Sequence, residues 1–533
     1  MKRNIPTYGL LLASMSAIIG SGWLFASAFS ASLAGSAAIL AWVIGGVMVI
    51  VIAFVFAEIC TMIPVTGSSS RIPHFTHGAL VSYVFAWIIW LGYLIYAPAE
   101  VQAMIQYLAV YFPQLAHHSG SLTVMGYSIA AIMLLVFSVL NFYSLRWLLR
   151  INSIITIIKI IIPIAVSIII LSYFFSSFNV VAHPGGQPFE PFGMHGVFMA
   201  IAAGGIIFAF NGFKLAAEMA GEAINPKKAL PIAIVGSVVI CLVIYLLLQF
   251  AFLSSVSTAS LAHGWGELNS SAKLGPFASI AFKYHLNSLV PLIYAGAIIA
   301  PVAAGLMYFS SAGKSLYGMS KNGYLPAPFS KLNSNDSPIF AVCLNFVVGF
   351  LIFAIFPGWD NMATMITVLF ALSYLIGPVN LYTMRERLPN MIRPFKLPFG
   401  RLWSVIAMFA CSLMIYWCGW DMVLSAGVTI AIGLVFMFAY RFSKKRLERF
   451  PINFKQSIWL WIYFASVGFV SYDGSYGGHD MLSTPVELGI LLAASVICSI
   501  LAAKMSLPAD EMMTRIKKAM SENDDPVNAG ISH

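Results

Sequence analysis

The chain is a succession of long apolar runs separated by short polar joints, and this pattern constrains its fold more than any other feature. Many windows exceed the roughly 18 apolar residues that a bilayer-spanning helix needs. In hydrocarbon every backbone N–H and C=O must be satisfied within the protein, and uninterrupted apolar runs of this length specify helices. Only 9% of the 533 residues are charged and 60% are hydrophobic, whereas soluble domains carry about 25% charged residues. The expected fold class is an all-α polytopic membrane protein in a lipid bilayer.

The runs place fourteen spans, at about 8–33, 36–62, 79–112, 123–144, 151–175, 196–220, 229–255, 288–313, 339–356, 361–384, 402–419, 422–441, 457–471 and 485–503. Lys2 and Arg3 form a short basic start, but the run after them is too long for a signal-peptide core and lacks a small-residue cleavage site, so it reads as the first span. With the N-terminus inside, the inner joints hold Arg71, Arg146, Arg150, Lys227, Lys228, Lys314, Lys321, Lys331, Arg385, Arg387, Arg393, Lys396 and Arg401. The basic run "RFSKKRLERF" (Arg441 to Phe450) and the tail join them, while the outer loops hold only Lys273 and Lys283. Such asymmetry follows the positive-inside rule. It predicts a multi-pass protein of the cell (inner or plasma) membrane with both termini cytoplasmic, and it assigns the net charge of +10 to topology rather than to nucleic acid.

All six cysteines fall within apolar spans, which suggests neither a disulfide framework nor a metal site, and no cofactor is implied. The loop "SYDGSYGGHD" carries Asp473, His479 and Asp480, but its glycines predict a flexible turn rather than a metal centre. Beyond Pro508, "ADEMMTRIKKAM" reads as a short amphipathic helix followed by a polar, disordered end. Nothing in the sequence specifies an oligomeric state.

Two spans are interrupted. The first contains "SMSAIIGSGWLF", with Gly20-Ser21-Gly22 near its middle; the sixth reads "GGIIFAFNGFKLAAEMAGE", interrupted at Gly204-Gly205 and Asn211-Gly212. Small residues permit close helix packing. Paired breaks at matching positions of two five-helix halves also mark transporter sites, and the pairing favours this second reading. A break at Gly20-Ser21-Gly22 exposes the N-terminus of the following half-helix, whose N–H groups suit a carboxylate. Opening the sixth span near Phe208-Ala209-Phe210 frees carbonyl oxygens that can accept from an ammonium. Together the two breaks match a zwitterion.

These residues resemble the amino acid–polyamine–organocation (APC) permease superfamily over about residues 5 to 445. "IIGSGWLF" is similar to its first-helix motif, and "FAFNGF" followed by "AGEAINPKKALPIAI" to its sixth helix and the loop after it. "AEICTMIPVTG", "GKSLYGMSKNGYLP" and "SPIFA" match segments near the second, eighth and ninth helices in the family's order. The resemblance implies a LeuT/APC-type 5+5 inverted-repeat core with alternating access. It further implies that Ser21 and Gly22, with Ile19 beside them, bind the substrate carboxylate. Phe208, Ala209 and Phe210 would border the amino group, with Phe208 as an aromatic gate. Trp23 departs from the pattern, standing where the family has an aliphatic residue, and the loop "TGSSSRIPHFTHG" lacks the second glycine of a common pair. "AGKS" (Ala312 to Ser315) is no phosphate loop, because Tyr308 occupies the position of its first glycine and no strand precedes it.

Ionisable groups inside spans are candidates for function because each is costly there. Glu58, near the inner end of the second span, reads as structural. Lys159 lies eight residues into the fifth span, roughly 12 Å deep at 1.5 Å per residue. It can snorkel to the interface; the resemblance to proton-coupled relatives instead implies a proton-coupling lysine. Lys214 reverses the sign of the acidic residue that is common after "GF" in the family. It either favours an acidic side chain of the substrate or pairs with Glu218 at i,i+4. Glu100 shares a helix face with Tyr96 and Tyr93, as pathway lining or as a buried cluster. The loop "SSSRIPHFTHG" resembles the subgroup of aspartate–proton symporters.

The expectation is therefore a secondary transporter, an amino acid:proton symporter importing an acidic amino acid. An amino acid exchanger, or a permease for neutral amino acids or polyamines, is the alternative. An enzyme would need clustered acids or histidines, which His74, His77, His117 and His118 do not form. A channel would show pore loops or charged rings. The expected organisation is a transport core over 1–400, two helices over 401–445, two additional helices over 446–503 and a cytoplasmic tail over 504–533.

Overall fold

The structure, a computed structural model, describes residues 5–524 apart from 143–144, 175–187, 258–260, 262–263, 269–274, 336 and 444–449. Lys2, Arg3, Lys273, most of the basic run after Arg441 and the polar end of the tail lie outside the described residues. Helices occupy all fourteen expected spans, and the β pairing among the described residues is confined to isolated bridges. Nine helical runs among the described residues are long and apolar enough to cross a membrane by length and composition. Several of the others are shortened by breaks, as in Thr7–Ile18 and Gly193–Ala202.

Both interruptions expected from the sequence are present. The first span is Thr7–Ile18 followed by Gly22–Ala34. The sixth comprises Gly193–Ala202, Ile206–Phe210 and Lys214–Glu218, separated at Ala203–Gly205 and at Asn211–Phe213. The third span (Ala79–Leu108), the seventh (Pro226–Ser255), the eighth (Leu289–Lys321) and the tenth (Trp359–Tyr374, continued by Ile376–Arg387) are long helices around these breaks. Phe454–Asp473 and Thr484–Met505 pack on each other and directly on the core, Thr484–Met505 against Ile376–Arg387 and the eleventh span, Gly400–Tyr416, and Phe454–Asp473 against the third and eleventh spans.

One end of the bundle carries the basic joints. There Glu58, fully buried, accepts from Nε and Nη2 of Arg385 at 2.8 and 2.7 Å and from the backbone N–H of Leu397 at 2.8 Å. This network ties the second span to the segment after the tenth, in keeping with the structural role expected for Glu58. A short helix, Ser68–Thr76, crosses the same end, and the sequence did not signal it. It is fastened to the sixth span by Gly67 N–H to Glu218 O (2.8 Å) and Ser68 Oγ to Ala217 O (2.8 Å), and to the tenth by Thr76 Oγ1 to Asn380 Oδ1 (2.8 Å).

The amphipathic tail helix expected from the sequence, Ala509–Asp524, lies under this crossing helix. Met512, Ile516 and Ala519 are buried on one face, at the i, i+4, i+7 spacing that a 3.6-residue period aligns. Arg515 donates to His74 O and Leu507 N–H to Thr76 O, both at 2.8 Å. At the other terminus, Ile5 exchanges backbone hydrogen bonds with Glu222 and Ile224 in the loop after the sixth span. Both ends of the described chain thus meet at the basic end. The loop expected to be flexible is instead a hydrogen-bonded turn. Asp473 O accepts from Met481 and Leu482, and Glu487 Oε1 from Ser475 N–H, because polar backbone at a helix junction must find partners.

Candidate functional site

The break in the first span has two backbone ends of opposite polarity, and a charged side chain meets each. The carbonyl end of Thr7–Ile18 receives Lys159, whose Nζ donates to the backbone O of Ser16 and lies 3.3 Å from Ser16 Oγ. The amide end of Gly22–Ala34 receives Glu100, whose carboxylate oxygens lie 3.1 and 2.9 Å from the backbone N of Ser21. A cation at a helix C-terminus and an anion at an N-terminus both complement the helix dipole. Lys159 and Glu100 also interact with each other electrostatically. Lys159 therefore points inward to the broken helix rather than snorkelling to an interface. Ser21 Oγ accepts from Trp359 Nε1 at 2.8 Å, which fixes the tenth span to the same break.

The sixth span opens without charged caps. Asn211 leaves the helix with ψ 133°, and its side-chain Oδ1 accepts from Tyr374 Oη at 2.7 Å. Gly212 has φ +136°, and a Cβ there would stand 2.5 Å from the Ile18 backbone nitrogen. Only glycine meets both demands, so the two broken spans approach backbone to backbone at this point. They touch again where a Cβ on Gly22 would meet Ala209. Tyr245 Oη, from the seventh span, lies 3.0 Å from both Ile18 O and Ala209 O and shares its one hydrogen between the carbonyls freed by the two breaks.

Aromatic rings close the space around this junction. Tyr96 is sandwiched between Phe208 (4.9 Å between centroids) and Tyr308 (3.7 Å). Away from the basic end, Phe208 meets Trp359 edge-on at 5.1 Å, and Trp359 stacks on Phe25 at 4.9 Å. Toward the basic end, Tyr93 and Phe370 continue the cluster. Ile19, Ser21, Glu100, Phe208 and Ala209 are all fully buried, so the junction is sealed from both ends.

The residues singled out from the sequence separate into two groups. Ile19, Ser21, Gly22, Phe208, Ala209, Tyr96, Glu100 and Lys159 converge on the junction. Phe210 does not. It faces the second and seventh spans, edge-on to Trp42 at 5.6 Å and to Tyr245 at 5.5 Å. Lys214 lines a small cavity nearer the basic end, together with Ala17, Tyr93, Gly212, Tyr308 and Phe370. Its Nζ lies 3.3 Å from Ser373 Oγ and 5.9 Å from the Tyr374 ring centroid, and it interacts electrostatically with Glu218. Glu218 itself sits where its backbone O fastens the crossing helix, at the basic end of the span.

Trp23 is accommodated by Gly296 of the eighth span, where a Cβ would stand 2.6 Å from the indole. Tyr245, Trp359 and Tyr308 were not anticipated. For Tyr245 a signal existed, since a phenol in an otherwise apolar span must find a hydrogen-bond partner.

The amino acid permease family model matches residues 9–450, most of the chain and all the residues of the junction. The chain belongs to the amino acid permease family. It is 34% identical over 513 residues to the glutamate/serine transporter AimA of Bacillus subtilis (strain 168), covering 95% of this chain and 94% of that protein. It is 31% identical over 511 residues to the aspartate-proton symporter of the same organism, covering 95% and 97%. The branched-chain amino acid permease BcaP, also from that organism, is 24% identical over 472 residues, covering 84% of this chain and 95% of the relative. As an amino acid permease the chain is a multi-pass membrane transporter, not an enzyme.

Proposed function

We propose that this permease is a proton-coupled importer of an acidic amino acid, aspartate or glutamate, working by alternating access. Its basic end faces the cytoplasm, so that both termini lie inside. The observation that carries this reading is the pair of facing breaks with Lys159 and Glu100 at the two ends of the first. The amide end near Ser21 and Gly22 receives the substrate carboxylate, the carbonyls near Phe208 and Ala209 receive its ammonium, and Phe208 with Tyr96 and Tyr308 shuts over it. Lys159 belongs to the proton-coupling machinery. Transport is assigned to the core over residues 1–400, with 401–445, 446–503 and 504–533 supporting it.

Lys214 supports an acidic substrate, because its cavity adjoins Gly212 and Tyr308 at the edge of the junction. The names of two relatives, an aspartate-proton symporter and a glutamate/serine transporter, support the same class. A second reading, a neutral substrate such as serine, is favoured by the contacts that already hold Lys214 to Ser373 and Tyr374.

The test is uptake of labelled aspartate into proteoliposomes with and without an inward proton gradient, with glutamate, serine and lysine as competitors. Gradient-stimulated uptake blocked by glutamate and not by serine supports acidic symport. Equal uptake without a gradient points to exchange, and competition by serine alone to the neutral substrate.

A further inference from the structure

Glu100 occupies the position at which the function proposed above seats the substrate's carboxylate. Both of its oxygens take the Ser21 N–H, the donor at the head of Gly22–Ala34. The fit is built into the packing. Gly20 carries no side chain, and a Cβ there would collide with Oε1 of Glu100; at Gly305 a Cβ would stand 3.4 Å from the Glu100 Cβ and 2.6 Å from the Phe137 ring. The titratable groups that act on this carboxylate come from several elements: Lys159 from the fifth span, Tyr245 from the seventh, Tyr308 from the eighth, and Tyr96 one turn away on the same helix. Among these described groups Lys159 is the cation, and the three phenols are neutral neighbours, the hydroxyls of Tyr245 and Tyr308 being given to the backbone carbonyls of Ile18, Ala209 and Ala17.

Two carboxylates brought to one buried donor cannot both remain charged; one of them takes a proton. We propose that Glu100 holds the substrate carboxylate's place in the substrate-free carrier and takes up the transported proton when the substrate arrives. This inference rests on the symport reading above. A proton adds to one oxygen of Glu100 and converts the carboxylate to the neutral acid. That acid releases Ser21 N–H to the incoming carboxylate, and no bond of the substrate is broken. When the substrate leaves on the other side, Glu100 loses the proton there and returns to Ser21. Lys159 keeps its charge throughout as the counter-ion.

The charge balance also selects the substrate. An acidic amino acid bearing one net negative charge, entering with one proton, adds no net charge to the neutral Glu100–Lys159 pair. A neutral amino acid entering with one proton leaves a net positive charge in a dry site, which is costly. Glu100 and Lys159 therefore add a preference for acidic substrates to the one proposed for Lys214.

The experiment is titration calorimetry of the full chain in detergent with aspartate, in buffers of different ionisation enthalpy, which counts protons bound per substrate. The wild type is expected to take up about one proton per aspartate, with an affinity that falls up to about tenfold per pH unit on the alkaline limb. For Glu100→Gln the expected count is near zero, with an affinity that no longer varies with pH and no accumulation driven by a proton gradient in liposomes. Glu100→Gln that still takes up about one proton overturns the proposal. If Glu100→Gln does not bind or does not fold, Glu100→Asp decides. A retained proton count with a displaced pH midpoint supports the proposal, and a midpoint identical to wild type overturns it. A wild type that takes up no proton with any amino acid defeats the symport reading and this inference with it. Wild-type proton uptake that persists unchanged in Glu100→Gln defeats this inference alone.

Discussion

The breaks in the first and sixth spans face each other, yet they are stabilised by different means. In the first, the freed backbone is met by a lysine and a glutamate, whose charges answer the two ends of the interrupted helix. In the sixth, the Tyr245 hydroxyl donates to Ala209 O, Asn211 Oδ1 accepts from Tyr374, and Gly212 takes a conformation no other residue adopts at ease. The first break is therefore held by charge, and under the proposed function it is the one that answers protons and an incoming anion. The second is held by shape and sets the distance at which the first operates. A carrier needs both, a part that titrates and a part that does not.

The largest effect separating the two should come from Lys159→Met, which leaves Glu100 as an unpaired buried carboxylate. Removing one partner of a buried pair costs about 3–5 kcal/mol. Equilibrium unfolding in detergent should show a loss of that order, and the double variant Lys159→Met/Glu100→Gln should recover much of it; a double variant no better than the single would dissolve the pairing. Next comes Gly212→Ala, where backbone strain of about 1–3 kcal/mol adds to a clash with the Ile18 backbone. Its melting temperature should fall by the same amount at every pH, in contrast to Lys159→Met.

Smaller again is Tyr245→Phe, which leaves Ile18 O and Ala209 O without their shared donor, at a cost of about 1–2 kcal/mol. Uptake rate should fall while the proton count per substrate stays at the wild-type value. The last effect is read on selectivity rather than on stability, and belongs to Lys214→Ala. Aspartate affinity should drop about tenfold, or about 1.4 kcal/mol, with serine affinity unchanged. An equal loss for both substrates would assign Lys214 to structure alone.

The sequence revealed the places where helices stop but not what meets them there. Gly20-Ser21-Gly22 and Asn211-Gly212 announce interruptions because glycine in a long apolar run is locally anomalous, and local anomalies are legible. That Glu100 meets Ser21 is not legible, since 79 residues separate them and helical spacing reports only which face of its own helix Glu100 occupies. Phe210 is the instructive case. Residues two apart on a helix point about 200° apart, so Phe208 and Phe210 cannot both face one substrate while their segment stays helical. The motif drew attention to both; helix geometry already allowed only one. The crossing helix Ser68–Thr76 escaped notice because its polar, serine-rich start and internal Pro73 read as a joint.

The tail helix has a consequence for how the protein is made. Arg515 braces His74 across 441 residues of chain, so one of the earliest loops to leave the ribosome is secured by one of the last helices. Between those two moments the crossing helix must wait, already joined to the second and third spans but with its outer face uncovered. Closing so large a loop is entropically unfavourable but grows only slowly with length, and the buried face of Met512, Ile516 and Ala519 supplies the return. The basic end is thus completed only after the whole chain has been synthesised, and a polypeptide stopped before the tail would insert its spans and still lack the piece that locks them.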